Sequence, residues 1–278
     1  MEPASLVPIH DRPALELGPS DGRSGATLVV ADLHLGLGST EERSSVPPEA
    51  MARAMALDLL ALAHERHARG LLIVGDVKHP IVGTPRGLRP VVFDFFSTFL
   101  AEGLSVEVIL GNHDVGLARW LPREVTVHGA RGLARGGVGF FHGHRWPSNA
   151  VLRSRRLVVG HLHPGFRFAP TPEAPNVKQR CWVRTELAEP PPPKTRRRRT
   201  HAPISARELI VLPAFNPIAG TESLNRDRLR RGRTFLVNRF LAPGRSRAYL
   251  LDGTDVGELF RHARRRRTSA ATAAPQDR

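Results

Sequence analysis

A single cysteine, Cys181, stands in a chain of 278 residues, so no internal disulfide can brace the fold and packing must do the work. That suits a reducing compartment. Cys181 sits inside an alternating apolar run, which marks it as a packed strand residue rather than a nucleophile. No stretch approaches the roughly 18 uninterrupted apolar residues that a membrane span needs. Residues 1–26 carry acids early and lack the apolar segment of a secretory signal. The expectation is a soluble, cytoplasmic protein. No internal repeat is visible. Acids are scarce beside bases, 26 Asp and Glu against 41 Lys and Arg, for a formal net charge of +15. The excess is concentrated in Lys194 with Arg196–Arg199 and in Arg264–Arg267, which leaves +6 on the rest. Such runs read either as solvated blocks of like charge or as attractors of nucleic acid through counterion release.

With 41% apolar residues the chain can bury a real core. Short runs rich in Val, Ile and Leu recur at Thr27–Ala31, Leu71–Val74, Val106–Leu110, Val138–Phe141 and Leu157–Val159, the texture of strands covered on both faces. Pro48–Arg69 reads as a helix, opened by a proline and an acid and closed by Gly70. Leu88–Glu102 reads as a second, closed by Gly103. Strand, helix, strand, helix, strand predicts an α/β sandwich with parallel pairing in its first half. After Pro164 longer alternating runs at Val177–Leu187, Glu208–Phe215, Arg233–Phe240 and Arg247–Leu251 predict a second, largely antiparallel sheet half. The Pro/Arg-rich segment 188–205 reads as a flexible insertion and residues 262–278 as a disordered basic tail, which leaves 1–261 as one domain.

Each of the five core runs ends in side chains of a type that can ligate metal. The first delivers Asp32 and His34, the second Asp76 and His79 in "GDVKH", and the third Asn112, His113 and Asp114 in "GNHD". The fourth delivers His142 and His144 in "HGH", the fifth His161 and His163 in "GHLH". In a layered α/β fold the strand ends at one sheet edge converge on a crevice, and Gly75, Gly111, Gly143 and Gly160 let the backbone turn and approach closely there. Taken singly, a histidine or aspartate at a strand end is an ordinary cap or core residue. Five together would cost several kcal/mol each in desolvation unless something cationic sat among them, and divalent metal ions meet that need.

The ordered set D-x-H, G-D, G-N-H-D, H, G-H-x-H resembles the calcineurin-like metallophosphoesterase superfamily. Within it, "GDVKH", "HGHRWP", "GHLHP" and "LPAFNP" are similar to the small prokaryotic phosphoesterases related to double-strand-break repair nucleases and ligase-associated endonucleases. The resemblance runs from about residue 27 to Asn225. It implies a four-layer α/β/β/α sandwich and two divalent metal ions, one held by Asp32, His34, Asp76 and His163, the other by Asp76, Asn112, His142 and His161, with Asp76 shared. Mixed oxygen and nitrogen donors suit Mn, Fe, Zn or Co better than Mg or Ca, and manganese is the expected metal. It implies hydrolysis of phosphoesters by a metal-activated hydroxide, with His113 protonating the leaving oxygen and Asp114 orienting His113. His113 also reads as a merely structural neighbour of the site.

His79, His144 and Asn216 are expected around the ligands or against substrate. Lys78 reads either as a phosphate contact or as a solvated surface lysine. "LPAFNP" reads as a turn that closes the site or as a structural turn, and Trp146 with Pro147 as packing. The function expected is a phosphodiesterase acting on nucleic acid or nucleotides. The alternatives are a phosphatase or phosphodiesterase on a small nucleotide or other phosphorylated metabolite, and a non-catalytic nucleic-acid adaptor on the same fold.

Overall fold

The computed structural model describes residues 3–20, 24–38, 47–83, 85–168, 177–187, 204–224, 240–241 and 244–259. Both arginine runs, the tail 262–278, most of the 188–205 insertion and all but Phe240 of the strand expected at Arg233–Phe240 lie outside the described residues.

The first sheet is built from β1 (Leu6–Pro8), β2 (Leu15–Leu17), β3 (Ala26–Val30), β4 (Ala68–Val74), β5 (Ser105–Ile109) and β6 (Thr126–His128), side by side in that order. From β3 to β6 every pairing is parallel: helices α1 (Pro48–Glu65) and α2 (Leu88–Ala101) carry the chain back over the sheet between β3, β4 and β5, and a loop with a short 3-10 turn at Leu117–Arg119 does so between β5 and β6. Met55, Leu59 and Leu62 of α1 and Val92, Phe96 and Phe99 of α2 are buried with Leu28, Val30, Leu71 and Ile73 in one cluster on that outer face. Gly103, at φ 74°, returns its N–H to the Leu100 carbonyl and closes α2 as expected. The first helix ends differently. Gly70 lies inside β4 between Thr27 and Ser105, not at a helix end, and the chain leaves α1 through Arg66 and a left-handed His67 at φ 49°. Backbone pairing with β3 and β5 claims residues 68–70, so the helix stops four residues before Arg69.

The second sheet holds β7 (Leu133–Arg135), β8 (Val138–Phe141), then after the one-turn helix α3 (Asn149–Leu152), β9 (Arg156–Val159), β10 (Pro164–Phe168), β11 (Val177–Glu186), β12 (Glu208–Val211), β13 (Glu222–Ser223), β14 (Ser246–Leu250) and β15 (Asp255–Glu258). Its pairings are antiparallel except β8 with β9, β9 with β12 and β10 with β13. The changeover between sheets therefore falls before Leu133 and not at Pro164: the fourth and fifth core runs belong to the second sheet. The expected strand Glu208–Phe215 is a strand only over Glu208–Val211; Leu212 N–H still donates to the Val159 carbonyl at 2.8 Å, and Pro213 then has no donor to give.

The inner faces of the two sheets bury Val29, Leu72 and Ile109 against Phe140, Val158 and Trp182. A buried ion pair, Glu107 of β5 to Arg135 of β7 at 2.7 Å, also crosses between them. The outer face of the second sheet buries Phe141, Leu157, Val183 and Val211, and its helical cover among the described residues is α3. Cys181, fully buried on β11, has its thiol pushed up to about 12 by desolvation, which makes it a packing residue. Trp146 packs too, its ring stacked on Phe240 at 6.0 Å. No helix among the described residues is long and apolar enough to cross a membrane.

Candidate metal centre

Beyond Val30 the chain keeps its partner: Asp32 N–H donates to the Gly75 carbonyl at 3.1 Å, His34 N–H to Asp76 at 2.9 Å and Leu35 N–H to Val77 at 2.7 Å. The ends of β3 and β4 thus advance together while the backbone bends. Among the described residues seven non-glycine positions have positive φ, and five of them are Asp32 (60°), His34 (42°), Asp76 (51°), His161 (71°) and His163 (43°). Aspartate and histidine tolerate that region better than most residues, yet each such turn still carries strain of order 1 kcal/mol. Strain gathered at one spot, on side chains that bear lone pairs, marks a site where aim has been favoured over stability. Gly75, at φ 83°, is required: a Cβ there would lie 2.3 Å from His142 Nδ1. Gly111 likewise leaves room for Asp76, whose Oδ1 would be 2.1 Å from an added Cβ.

The side chains meet. His163 Nε2 lies 3.3 Å from Asp32 Oδ1 and 3.1 Å from His34 Nε2. His142 Nε2 lies 3.2 Å from both Asp76 Oδ2 and Asn112 Oδ1. The same Asp76 Oδ2 is 3.8 Å from His34 Nε2, which puts one carboxylate oxygen between the two groups. Donor atoms of Asp32, His34 and His163 all lie within 4.8 Å of one another, as do those of Asp76, His142 and His161. Separations of 3.1–3.3 Å between donors are what ligands about 2.0–2.2 Å from a common ion subtend. The donor set of buried carboxylates and imidazoles fits divalent transition metals. Two imidazoles are also held from behind. His142 Nδ1 faces the Val74 carbonyl at 3.0 Å and His163 Nδ1 the Gly220 carbonyl at 3.0 Å, which fixes each ring and turns Nε2 towards the carboxylates.

Charge here is strongly coupled. Desolvation opposes ionisation of Asp32 and Asp76, but the neighbouring histidines hold both below the usual carboxylate range. Burial likewise favours a neutral His142, yet Asp76 and Asp32 outweigh it and push that ring up to about 9. His34 falls to about 4, His144 to about 4 and His161 to about 3, chiefly through desolvation. A prediction follows for protein stripped of metal by a chelator. Between about pH 4 and the ordinary histidine value of 6.5, the folded chain keeps His34, His144 and His161 neutral while the unfolded chain protonates them. Stability therefore rises with pH there, less an opposing contribution below pH 6 from Asp114, whose carboxyl is raised to about 6 by burial. Above 6.5 the folded chain holds a proton on His142 that the unfolded chain has lost, so stability falls as pH climbs through about 9. Thermal melts in EDTA should peak near pH 6.5, and a midpoint still climbing between pH 7 and 9 would contradict this charge assignment.

The remaining expected residues take distinct places. Asp114 does not orient His113. Its carboxylate accepts N–H bonds from Gly111 at 2.8 Å, Val77 at 2.9 Å and Lys78 at 3.2 Å, clamping the loops after β4 and β5 to each other. The residue that orients His113 is His79, whose backbone carbonyl accepts from His113 Nδ1. Lys78 is not a surface lysine: it is 1% exposed, its ammonium donates to the Pro80 carbonyl and rests 5.5 Å from the Trp120 ring centre. His144 stacks at an angle beside His142, 5.4 Å between ring centres. Asn216 Nδ2 donates to the Leu33 carbonyl at 2.8 Å and its Oδ1 accepts from Ile218 N–H at 3.0 Å, so "LPAFNP" ties the second sheet to the turn that carries Asp32 and His34. Sequence reasoning missed the carbonyls of Val74 and Gly220, which no side-chain pattern reveals.

No protein-family model matches the chain, and neither does any curated protein. Among solved structures the chain is similar to the nuclease MPE of Pseudomonas putida, at 19% identity and a TM-score of 0.49 over 89% of this chain and 98% of that one. It is also similar to Yfce, a phosphoesterase from E. coli, at 14% identity and a TM-score of 0.36 over 84% of this chain and 97% of the other.

Proposed function

We propose that the chain is a dinuclear metal-dependent phosphoesterase, that its substrates are phosphodiesters of nucleic acid or nucleotides, and that manganese is its metal. The observation that carries this is Asp76: one oxygen of its buried carboxylate stands 3.2 Å from His142 of one ligand group and 3.8 Å from His34 of the other. Two cations about 3.5–4 Å apart repel, and an anionic bridge offsets that repulsion. When bound, the pair of ions would polarise a phosphoryl group and acidify water towards neutrality.

The protein's own groups do the rest. Asp32, His34 and His163 form one half of the cradle, Asn112, His142 and His161 the other. His113, anchored through Nδ1 to the His79 carbonyl, has Nε2 3.8 Å from Asp76 Oδ2, and in this reading it holds a proton for the leaving oxygen. No side chain needs to form a covalent bond to phosphorus. Residues 1–261 act as one unit in this proposal, and the arginines at 196–199 and 264–267 serve to attract polyanionic substrate. The reading extends to a cytoplasmic nuclease of DNA repair on the motif resemblance alone.

The test is hydrolysis of bis-p-nitrophenyl phosphate by purified protein with Mn, Fe, Co or Zn, alongside metal analysis by mass spectrometry. About two equivalents of metal and manganese-dependent turnover are expected. A folded protein that is inert with all four metals would overturn the enzyme assignment, and one carrying no metal would favour the non-catalytic adaptor.

A further inference from the structure

His34 offers a second face. Its Nε2 points to His163 and Asp76, while Nδ1 on the opposite side of the ring lies 3.4 Å from His79 Nδ1. His113 completes that side, its ring centre 4.8 Å from that of His34 and 5.7 Å from that of His79. One nitrogen from each of the three rings lies within 4.8 Å of the others, and His79 and His113 are partly open to solvent, so the group is reachable from outside. It differs in chemistry from its neighbours, because its three members are all imidazoles, with Asp76 Oδ2 at the edge, 3.8 Å from His113 Nε2. Two nitrogens on a tetrahedral ion at about 2.0–2.1 Å would be about 3.3 Å apart, close to the 3.4 Å observed between His34 and His79. Imidazole-only sites favour Zn and Cu, and both stand well above Mn in general affinity.

We propose that His34, His79 and His113 form a third, inhibitory cation site selective for zinc over manganese. The proposal rests on the dinuclear reading above and goes beyond it. A neutral imidazole has one lone pair to give. A zinc ion on His34 Nδ1 therefore competes with the manganese ion held through Nε2 of the same ring. It also occupies His113, the group placed to protonate the leaving oxygen. Occupancy of the outer site switches the inner one off, so zinc opposes turnover while manganese supports it.

The test compares the manganese-loaded wild type with His79→Ala in two measurements: the manganese concentration for half-maximal binding, and the zinc concentration for half-maximal uptake at fixed manganese, both read by equilibrium dialysis and metal analysis. Zinc inhibition of bis-p-nitrophenyl phosphate hydrolysis is followed in parallel. Loss of one of three ligands should weaken zinc uptake and zinc inhibition by at least about tenfold more than it weakens manganese binding. Equal shifts for both metals would make His79 a mere support for His34 and overturn the site. If His79→Ala does not fold, His79→Phe serves instead, since a phenyl ring keeps the ring's bulk while offering no lone pair to a metal. Absence of manganese binding in the wild type would sink the dinuclear reading itself, whereas manganese-dependent turnover that zinc does not inhibit would sink only this inference.

Discussion

Asp76→Asn should abolish manganese-dependent hydrolysis of bis-p-nitrophenyl phosphate, with kcat/KM down by at least about 10³-fold. That corresponds to about 4 kcal/mol of lost transition-state stabilisation, the scale expected when charge stabilisation by a metal is removed. The substitution changes little besides charge. An amide oxygen can still accept the His113 N–H bond that Asp76 Oδ1 accepts at 2.9 Å, so the loop after β5 keeps its anchor. What disappears is the anion between His34 and His142. Metal content should fall from about two equivalents to one or fewer, while the circular dichroism spectrum is unchanged. A variant that still binds two manganese ions and turns over within tenfold of wild type would show that Asp76 is not the bridge.

Gly75→Ala should act on the same site through the backbone. The added methyl group would meet His142 Nδ1 at 2.3 Å and Cγ at 2.4 Å, and alanine at φ 83° is strained even in open space. Left-handed backbone costs a non-glycine residue about 1–2 kcal/mol, and overpacking of a closed core about 1–3 kcal/mol more. A loss near 3 kcal/mol lowers the melting temperature of a domain this size by about 6–12 °C. His142 must swing away from the Val74 carbonyl, which releases the ring from its fixed orientation. Thermal unfolding with and without manganese checks both effects. The variant should melt lower and gain less from added manganese than wild type gains. An unchanged midpoint would mean that this turn is looser than its geometry states.

Much of this was legible in the amino-acid sequence, and for a physical reason. A strand buried on both faces can be apolar throughout, so an aspartate or histidine directly after it, followed or preceded by glycine, stands out against its surroundings. Asp76, Asn112, His142 and His161 stood out as candidates in that way and Asp32 by its charge alone, and the helices found at residues 48–65 and 88–101 by their apolar spacing. The point where the second sheet begins was not visible, because β8 and β9 have the same composition whether they continue the first sheet or start another. The real role of Asp114 was hidden too. Neighbourhood in the chain suggested His113 as its partner, while its three bonds go to backbone N–H groups, two of them on a loop 36 and 37 residues away. Lys78 misled for a related reason: lysine is almost never fully buried, and only the fold could supply the Pro80 carbonyl and the Trp120 face that hold it.

The candidate ligands divide between the sheets, Asp32, His34, Asp76 and Asn112 at the ends of β3, β4 and β5, His142, His161 and His163 at the ends of β8 and β9. Their spacing is therefore a calliper on the slab of side chains between the two layers. A methyl group gained or lost at Phe140, Leu72 or Trp182, which share one buried cluster between the sheets, should open or close the jaws. A lineage could retune the spacing of its candidate ligands without altering any one of them.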